Sequence, residues 1–182
     1  MTCSVAAGAG AMRSRRQPSF LRFSREAMDR CSPADADLQS MAATLKAREF
    51  VFFCEDLAMA SLGEDFPRPV RKVEWTTLQL SFGNPQAHFE LQPHVARGIV
   101  ELGLHFEGPV EFNDACAARI AADAHQVIAA LGPAWELEVW TPSWRRIHRV
   151  FHFEALTAEL GHAVAAEFAR ALRVLHPYAS GV

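Results

Sequence analysis

Apolar and polar positions alternate along this chain with two different periods, which divide it into helical and extended segments. From Asp37 to about Gly63, apolar residues recur every three or four positions, and this spacing predicts a helix buried on more than one side. Between residues 77 and 107 the period changes to two, which is typical of strands with one face in a core. Breaks at residues 83–85 and 96–98 divide this stretch into three strands, so we predict an antiparallel meander.

Helical spacing returns after the meander. It runs from about Asn113, with Asn113 or Asp114 as the N-cap, to Leu131, where a glycine–proline pair ends it. Two further extended segments follow at residues 135–140 and 145–154. These segments extend the predicted sheet to five strands.

A final helix is predicted from a Thr157 cap to His176, where Pro177 is expected to end it. The order of elements is therefore α-β-β-β-α-β-β-α, an α+β fold in which a five-stranded, mainly antiparallel sheet carries helices on one face. The triplet His-Phe-Glu closes two hairpins, at residues 105–107 and 152–154, and a helix follows each time. A duplicated β-β-α unit explains this repeat, and chance similarity between alternating strands is the alternative.

Opposite the helices, the predicted sheet collects an unusual number of histidine and glutamate residues. Counting positions across the turn at residues 96–98 places Gln92 opposite Glu101 and His88 opposite His105, with paired Cβ atoms about 5 Å apart. Two imidazoles with nearby carboxylates at that separation are able to hold a divalent metal ion or to act as a general acid–base pair. The candidate catalytic residues are His88, His105, Glu107 and His152, and the candidate metal ligands are His88, His105 and His148.

The alternative for this face needs no chemistry. A sheet with one side in solvent carries polar residues at every second position, and histidine, glutamine, threonine and glutamate meet that requirement. The chain contains no H-E-x-x-H metal-binding motif. We therefore expect a solvated or partner-covered face, with the metal or acid–base site as the alternative.

A second candidate surface lies on the hairpin from Trp140 to Arg149. Its two tryptophans and three arginines are residue types that are enriched at protein-interaction hot spots. The structural alternative is that the tryptophans pack beneath the hairpin and the arginines pair with Glu136, Glu138 or Glu154. The candidate interaction residues are Trp140, Trp144, Arg145, Arg146 and Arg149.

Composition narrows the class of protein. Of 182 residues, half are hydrophobic and 21% are charged, which are ordinary values for one globular domain. A net charge of −3 makes nucleic acid an unlikely partner, and the four scattered cysteines indicate neither a disulfide framework nor a zinc finger. Nucleotide-binding and hydrolase motifs are absent from the sequence, and no cofactor is expected. No apolar run approaches the ~20 residues of a spanning helix, so we expect a cytoplasmic protein without membrane contact.

Residues 1–35 differ from the rest of the chain. They carry six arginines against three acidic residues, whereas residues 36–182 are net acidic. We predict a basic, disordered N-terminal tail at residues 1–35 and a single α+β domain at residues 36–182. The alternatives for the tail are upstream sequence read through from an earlier start codon, a basic arm that contacts a partner, and a targeting segment.

The predicted order of elements is similar to that of the small α/β chaperones of type III secretion and their non-secretory relatives. The similarity is one of topology over about residues 37–176, and no sequence motif carries it. It implies a module that dimerises and presents sheet and helix surfaces to an extended client. We accordingly expect a non-enzymatic protein-interaction or self-association module whose partner is another protein or a second copy of the chain. A metal-dependent or acid–base enzyme is the alternative.

Overall fold

The period-two segments form a six-stranded antiparallel sheet in the computed structural model, which describes residues 44–180. The predicted α+β class is confirmed, with one strand more than expected. The strands lie side by side in the order β1-β2-β3-β4-β6-β5. Their bounds are Val70–Glu74 (β1), Thr77–Ser81 (β2), Ala87–His94 (β3), Ile99–Phe106 (β4), Glu136–Val139 (β5) and Arg145–His152 (β6).

The additional strand is β1, at one edge of the sheet. It pairs with β2 through a tight turn, in which Trp75 has a left-handed backbone conformation (φ 54°) and an almost fully exposed side chain. Four of the five β1 residues are exposed. The strand therefore lacks the alternation of buried and exposed positions by which a sequence reveals a strand.

Four helices of the described residues share one core with the apolar side of the sheet. They are α1 (Ala47–Leu62), α2 (Val110–Ala122), α3 (Ala124–Leu131) and α4 (Ala158–Ser180), and a 3-10 turn at Val95–Arg97 joins β3 to β4. The largest fully buried side chains include Phe50 of α1, Phe89 of β3 and Phe168 of α4. Removing this apolar surface from water is the main favourable contribution to folding. No helix within residues 44–180 combines the length and apolar character needed to cross a membrane.

The first helix begins later than the sequence predicts. Thr44, inside the predicted helix, pairs instead with Thr157 in an isolated β-bridge. The backbone N–H of Lys46 donates a hydrogen bond to the Glu49 carboxylate at 3.0 Å, which stabilises the start of α1. The predicted basic tail and the rest of residues 1–43 lie outside the described part of the chain.

The predicted middle helix is two helices, and it begins earlier than expected. α2 starts three residues before Asn113, so the prediction of Asn113 or Asp114 as its N-cap is wrong. Asn113 is buried in the first turn, where its Oδ1 accepts from the N–H of Gly108 at 2.9 Å. Its Nδ2 donates to the carbonyls of Gly108 and Ser143, at 2.8 Å each. The helix breaks at Asp123, whose backbone (φ −100°, ψ 15°) leaves the helical conformation.

The last helix confirms its predicted start and contradicts its predicted end. The Thr157 hydroxyl accepts from the N–H of Leu160 at 3.2 Å, as an N-cap does. Pro177 does not end α4, which continues for three more residues. Tertiary contacts hold this final turn. The carbonyl of Pro177 accepts a hydrogen bond from Arg119 at 3.1 Å, and the Tyr178 hydroxyl donates one to the carboxylate of Asp123, between α2 and α3, at 2.9 Å.

The predicted register of the central strands is confirmed. β3 and β4 pair Gln92 with Glu101 and His88 with His105. β4 then pairs with β6, so the β3–β4 and β5–β6 hairpins meet through their second strands. This arrangement is consistent with a duplicated β-β-α unit, and the duplication itself stays a prediction.

Candidate functional site

The histidine-bearing side of the sheet is buried, and the expectation of a solvated face is therefore wrong. We call this side the polar face. It comprises His88, Glu90, Glu101, His105, Arg146 and His148, which expose 5, 9, 7, 0, 9 and 7% of their surface. The reason is the strand order: β4 lies between β3 and β6, so long polar side chains from three neighbouring strands cover one another. Buried polar groups are normally hydrogen-bonded, so the partners of each side chain on the polar face matter for what the face can do.

His88 and His105 lie side by side on the two middle strands of the sheet, one residue pair from the strand ends. Their ring centroids are 5.9 Å apart and the ring planes are inclined by 29°. His88 Nδ1 lies 3.0 Å from the carbonyl oxygen of Pro85, which can only accept a hydrogen bond. Nδ1 therefore carries a proton, and in the neutral ring the lone pair is on Nε2. His88 Nε2 has no hydrogen-bond partner within residues 44–180.

His105 is fully buried, and neither of its ring nitrogens makes a hydrogen bond within the described residues. Its nearest carboxylates stop short of bonding distance: Glu107 Oε1 lies 3.6 Å from Nδ1, and Glu101 Oε1 lies 3.7 Å from Nε2. A buried polar atom without a partner costs about 1–3 kcal/mol. This arrangement is therefore destabilising by itself and leaves His105 available to a further ligand.

One ligand atom each from His88, His105 and Glu107 lies within 4.8 Å of the other two. Three of the candidate residues from the sequence thus come together. Two imidazoles and one carboxylate are also the donor set of several catalytic transition-metal sites. We call these three residues the His–His–Glu cluster.

Carboxylates outnumber cations around this cluster. Glu90 approaches His88 Nε2 at 3.8 Å and accepts a hydrogen bond from Gln79 at 3.0 Å. Arg146 is the one guanidinium of the polar face, and it bridges Glu101 and Glu138. The four glutamates that contact these histidines and Arg146 are Glu90, Glu101, Glu107 and Glu138. With neutral imidazoles, the network has an excess of negative charge.

Trp140 covers the open side of His105. The two ring centroids are 5.3 Å apart in an edge contact, and the Arg146 guanidinium carbon lies 4.8 Å from the Trp140 ring centroid. Trp144 packs beside Trp140 at 5.6 Å. The loop that carries both tryptophans is tied to α2 by the hydrogen bond from Asn113 to the Ser143 carbonyl. Trp140 is still 40% exposed, so it is a partial cover.

The charged neighbours shift the pKa values of the polar face in opposite directions. Burial lowers the pKa of His88, but the Glu90 carboxylate, the Pro85 carbonyl and the charge of Glu107 outweigh it, and the net pKa is raised. Burial raises the pKa of Glu90, but its histidine and glutamine neighbours outweigh that effect and the net pKa is lowered. Burial, reinforced by Arg146, lowers the pKa of His148. His148 is therefore neutral at pH 7.

A cavity of about 160 Å³ opens at the end of the polar face, beside Trp140. Two arginines, two histidines, one glutamine and one tryptophan among the described lining residues carry hydrogen-bond donors, and Glu101 is the one carboxylate there. The lining residues are Gln92, His94, Arg97, Ile99, Glu101, Trp140, Arg146, His148 and Val150. His148 makes no hydrogen bond through either ring nitrogen within residues 44–180. Glu138 Oε1 lies 3.1 Å from its Nε2, but outside hydrogen-bond geometry.

The remaining candidate residues lie apart from the His–His–Glu cluster. His148 lies opposite Gly103 and contributes to the cavity, and His152 is exposed at the far end of β6. The three arginines of the hairpin make internal ion pairs: Arg145 with Asp114, Arg146 with Glu101 and Glu138, and Arg149 with Glu167. Trp140 and Trp144 keep exposed or half-exposed surface.

Two contacts of the polar face were not predicted from the sequence: Trp140 packs against His105, and the Pro85 carbonyl is the partner of His88. The first contact is formed by chain folding between distant segments, and no local pattern reports it. A local signal did exist for the carboxylates, because His-Phe-Glu recurs at residues 88–90 and 105–107 and its first and third residues share one face of a strand.

Comparison with known proteins adds nothing to this site, since no family model, no curated protein and no solved structure matches the chain.

Proposed function

We propose that this protein binds a small, acceptor-rich molecule, such as a carboxylate or phosphate, in the cavity beside Trp140 and acts on it by acid–base chemistry. The proposal rests on the environment of His148. Its imidazole is nine-tenths buried, neutral at pH 7, lines the cavity and makes no hydrogen bond within the described residues. A neutral, unpartnered imidazole at the wall of a cavity has the properties of a general base.

The cavity lining supports an anionic or acceptor-rich ligand. Arg97 lies at its exposed rim, and Gln92 and His94 add further donors. Trp140 offers a flat apolar wall against which a planar group can pack. Arg146 already bridges two carboxylates, so Arg97 is the guanidinium that we assign to the ligand.

Titration followed by NMR tests this proposal with defined probes. Acetate, malonate and inorganic phosphate are added separately to the full chain while the imidazole signals of His148 and the indole N–H signal of Trp140 are followed. We expect a saturable shift of both signals with at least one anion, and binding about tenfold weaker in Arg97→Gln. Arg68→Gln is the matched control because Arg68 is an exposed arginine outside the cavity lining. The exposed indole of Trp75 reports non-specific effects.

The proposal fails if no anion moves the His148 and Trp140 signals, or if those signals move only in parallel with Trp75. It also fails if Arg68→Gln weakens binding as much as Arg97→Gln does.

The interaction or self-association module expected from the sequence stays a prediction. Exposed surface on Trp140 and the edge position of β5 favour it. The internal ion pairs of Arg145, Arg146 and Arg149 weigh against it, because those guanidiniums would have to leave partners before meeting another protein. The buried polar face therefore supports a ligand site better than it supports a docking surface.

A further inference from the structure

We infer that His88, His105 and Glu107 form a binding site for a divalent first-row transition-metal ion of the Zn²⁺, Mn²⁺ or Fe²⁺ type. This inference goes beyond the proposed function, and its three ligand residues lie outside the cavity lining. Either site is able to exist without the other, and their tests are independent.

The type and spacing of the three ligand atoms suit a metal ion. The three ligand atoms lie within 4.8 Å of one another. Metal–nitrogen and metal–oxygen bonds of about 2.0–2.2 Å place neighbouring ligand atoms about 3–3.6 Å apart, so small side-chain rotations close the set around an ion. Imidazole nitrogen favours transition metals over Ca²⁺ and Mg²⁺, which prefer oxygen ligands.

The tautomer of His88 leaves a nitrogen lone pair free to bind a metal ion. Its Nδ1–H donates to the Pro85 carbonyl at 3.0 Å, which directs the Nε2 lone pair away from that bond. Metal-binding histidines generally donate their second ring N–H to a carbonyl or carboxylate in this way. Nε2 is buried and has no hydrogen-bond partner within residues 44–180.

The ring nitrogens of His105 are buried without hydrogen bonds within residues 44–180, and a metal ion would give one of them a partner. The ring is fully buried, and both nitrogens lack a hydrogen bond within the described part of the chain. Glu107 lies 3.6 Å from Nδ1, a distance too long for a hydrogen bond and well suited to two ligands of one ion. A bound cation would therefore satisfy groups that the protein itself leaves without partners.

The excess of carboxylates around the cluster also favours a bound cation. Four glutamates contact the three histidines and Arg146, and Arg146 is the one guanidinium among them. A divalent cation reduces this excess negative charge at the point where two imidazoles and Glu107 converge. A network that only needed to be neutral would gain more from a second arginine or lysine than from two imidazoles that leave ring nitrogens without hydrogen bonds among the described residues.

The fold holds the cluster in place. His88 and His105 occupy paired positions on the two middle strands of the sheet, so their spacing is fixed by the β3–β4 register. Glu107 directly follows β4, and its backbone N–H donates to the Gln86 carbonyl at 2.8 Å. The ligands therefore come from two adjacent strands and from the residue that directly follows one of them.

Metal titration of the full chain tests the inference. The protein is purified without a polyhistidine tag, stripped with a chelator and titrated with Co²⁺ while visible absorption is recorded, and Zn²⁺ is then added as a competitor. We expect one equivalent of Co²⁺ to bind, Zn²⁺ to displace it, and affinity to fall at least tenfold in Glu107→Gln and His105→Gln. Glu111→Gln and His162→Gln are matched controls, because both residues are exposed and lie outside the cluster.

Several outcomes would overturn the inference. One is the absence of Co²⁺ binding by the wild-type chain at millimolar concentration, and another is equal binding by Glu107→Gln and Glu111→Gln. A thiolate-to-cobalt charge-transfer band would show that cysteines are the ligands instead. Circular dichroism of each variant reports folding, and Glu107→Gln keeps the test valid if His105→Gln does not fold. Arg97→Gln should leave Co²⁺ affinity unchanged, which separates this site from the cavity.

Discussion

His88 and His105 face each other across β3 and β4, with their ring centroids 5.9 Å apart in a region that excludes nearly all solvent. Apolar residues of similar size would pack there without leaving ring nitrogens unsatisfied. The arrangement lowers the stability of the fold, and sites that do so are often the functional ones.

Gly103 lies on β4 opposite His148, where the two strands approach closely. A Cβ atom on Gly103 would lie 2.8 Å from both the Ile147 carbonyl oxygen and His148 Cβ. Because these atoms belong to the paired strand, the clash cannot be relieved by rotating a side chain. We expect Gly103→Ala to lower the free energy of unfolding by about 1–3 kcal/mol, measured by urea denaturation. Ser81→Ala, on the same side of the sheet, should cost much less, and equal losses in the two variants would contradict this account.

Asn113 connects the first turn of α2 to the loop that carries Trp140 and Trp144. Replacing it with alanine removes three hydrogen bonds and leaves the Gly108 N–H and the Ser143 carbonyl without their partner. We expect Asn113→Ala to reduce the free energy of unfolding by about 2–4 kcal/mol. Trp140 should also become more accessible to a fluorescence quencher, whereas Glu111→Gln should change neither property. Unchanged quenching in Asn113→Ala would show that the loop is held by other contacts.

Cys54 is buried in α1, and burial raises its pKa to about 12. Burial also raises the pKa of Cys116, with Arg119 opposing the shift. Because the thiolate is the reactive form, neither cysteine should react quickly with a thiol reagent at pH 8 in the native protein.

The measurement uses the full chain carrying Cys3→Ser and Cys31→Ser, so that Cys54 and Cys116 are the remaining thiols. We expect two reactive thiols in guanidinium chloride and slow labelling without it. Fast native labelling of either residue would contradict the described burial.

His148 should make the protein sensitive to mildly acidic pH. Its pKa is lowered below the ordinary value of 6.5, by burial first and by Arg146 second, against the opposing charges of Glu101 and Glu138 and with His105 adding to the lowering. The unfolded chain therefore takes up a proton near pH 6.5, while the folded chain resists it. The stability associated with neutral His148 is fully present above pH 6.5 and is lost as the pH falls towards the folded pKa.

Unfolding free energies of the wild type and His148→Gln at pH 7.5 and 5.5 measure this effect. We expect the wild type to lose more stability than the variant over this interval. Histidines that titrate elsewhere, including His88 with its raised pKa, contribute equally to both proteins and cancel in the difference. Parallel losses would show that His148 is protonated without penalty.

The alternation of residues along β3 and β4 was enough to predict which side chains share the polar face and that His88 pairs with His105. Period-two patterning reports the direction in which a side chain points, and it does not report what covers that side chain. The burial of His105 depends on Trp140, 35 positions further along the chain. The edge strand β1 was missed for a related reason, since Arg71 and Lys72 give it no apolar period.

Helix ends show the same limit. Thr157 was recognised as a cap because its hydroxyl acts on a residue three positions away. Asn113 is of a residue type that is common at N-caps, but its helix begins three residues before it. Its side chain instead donates a hydrogen bond to the carbonyl of Ser143, 30 positions away. Local rules therefore identified local contacts, whereas polar-face contacts such as Arg146 with Glu101 and Trp140 with His105 join distant segments.

The protonation and ligation states of the imidazole nitrogens of His88 and His105 decide whether the polar face binds a metal ion. Long-range proton–nitrogen NMR spectra of the ¹⁵N-labelled full chain at pH 7.5, recorded before and after one equivalent of Zn²⁺, report each ring nitrogen of His88 and His105. We expect a protonated Nδ1 on His88 throughout, and a Zn²⁺-dependent change at His88 Nε2 and at one nitrogen of His105. Spectra in which Zn²⁺ leaves both residues unchanged, or in which both rings behave as solvent-exposed histidines, would contradict this expectation.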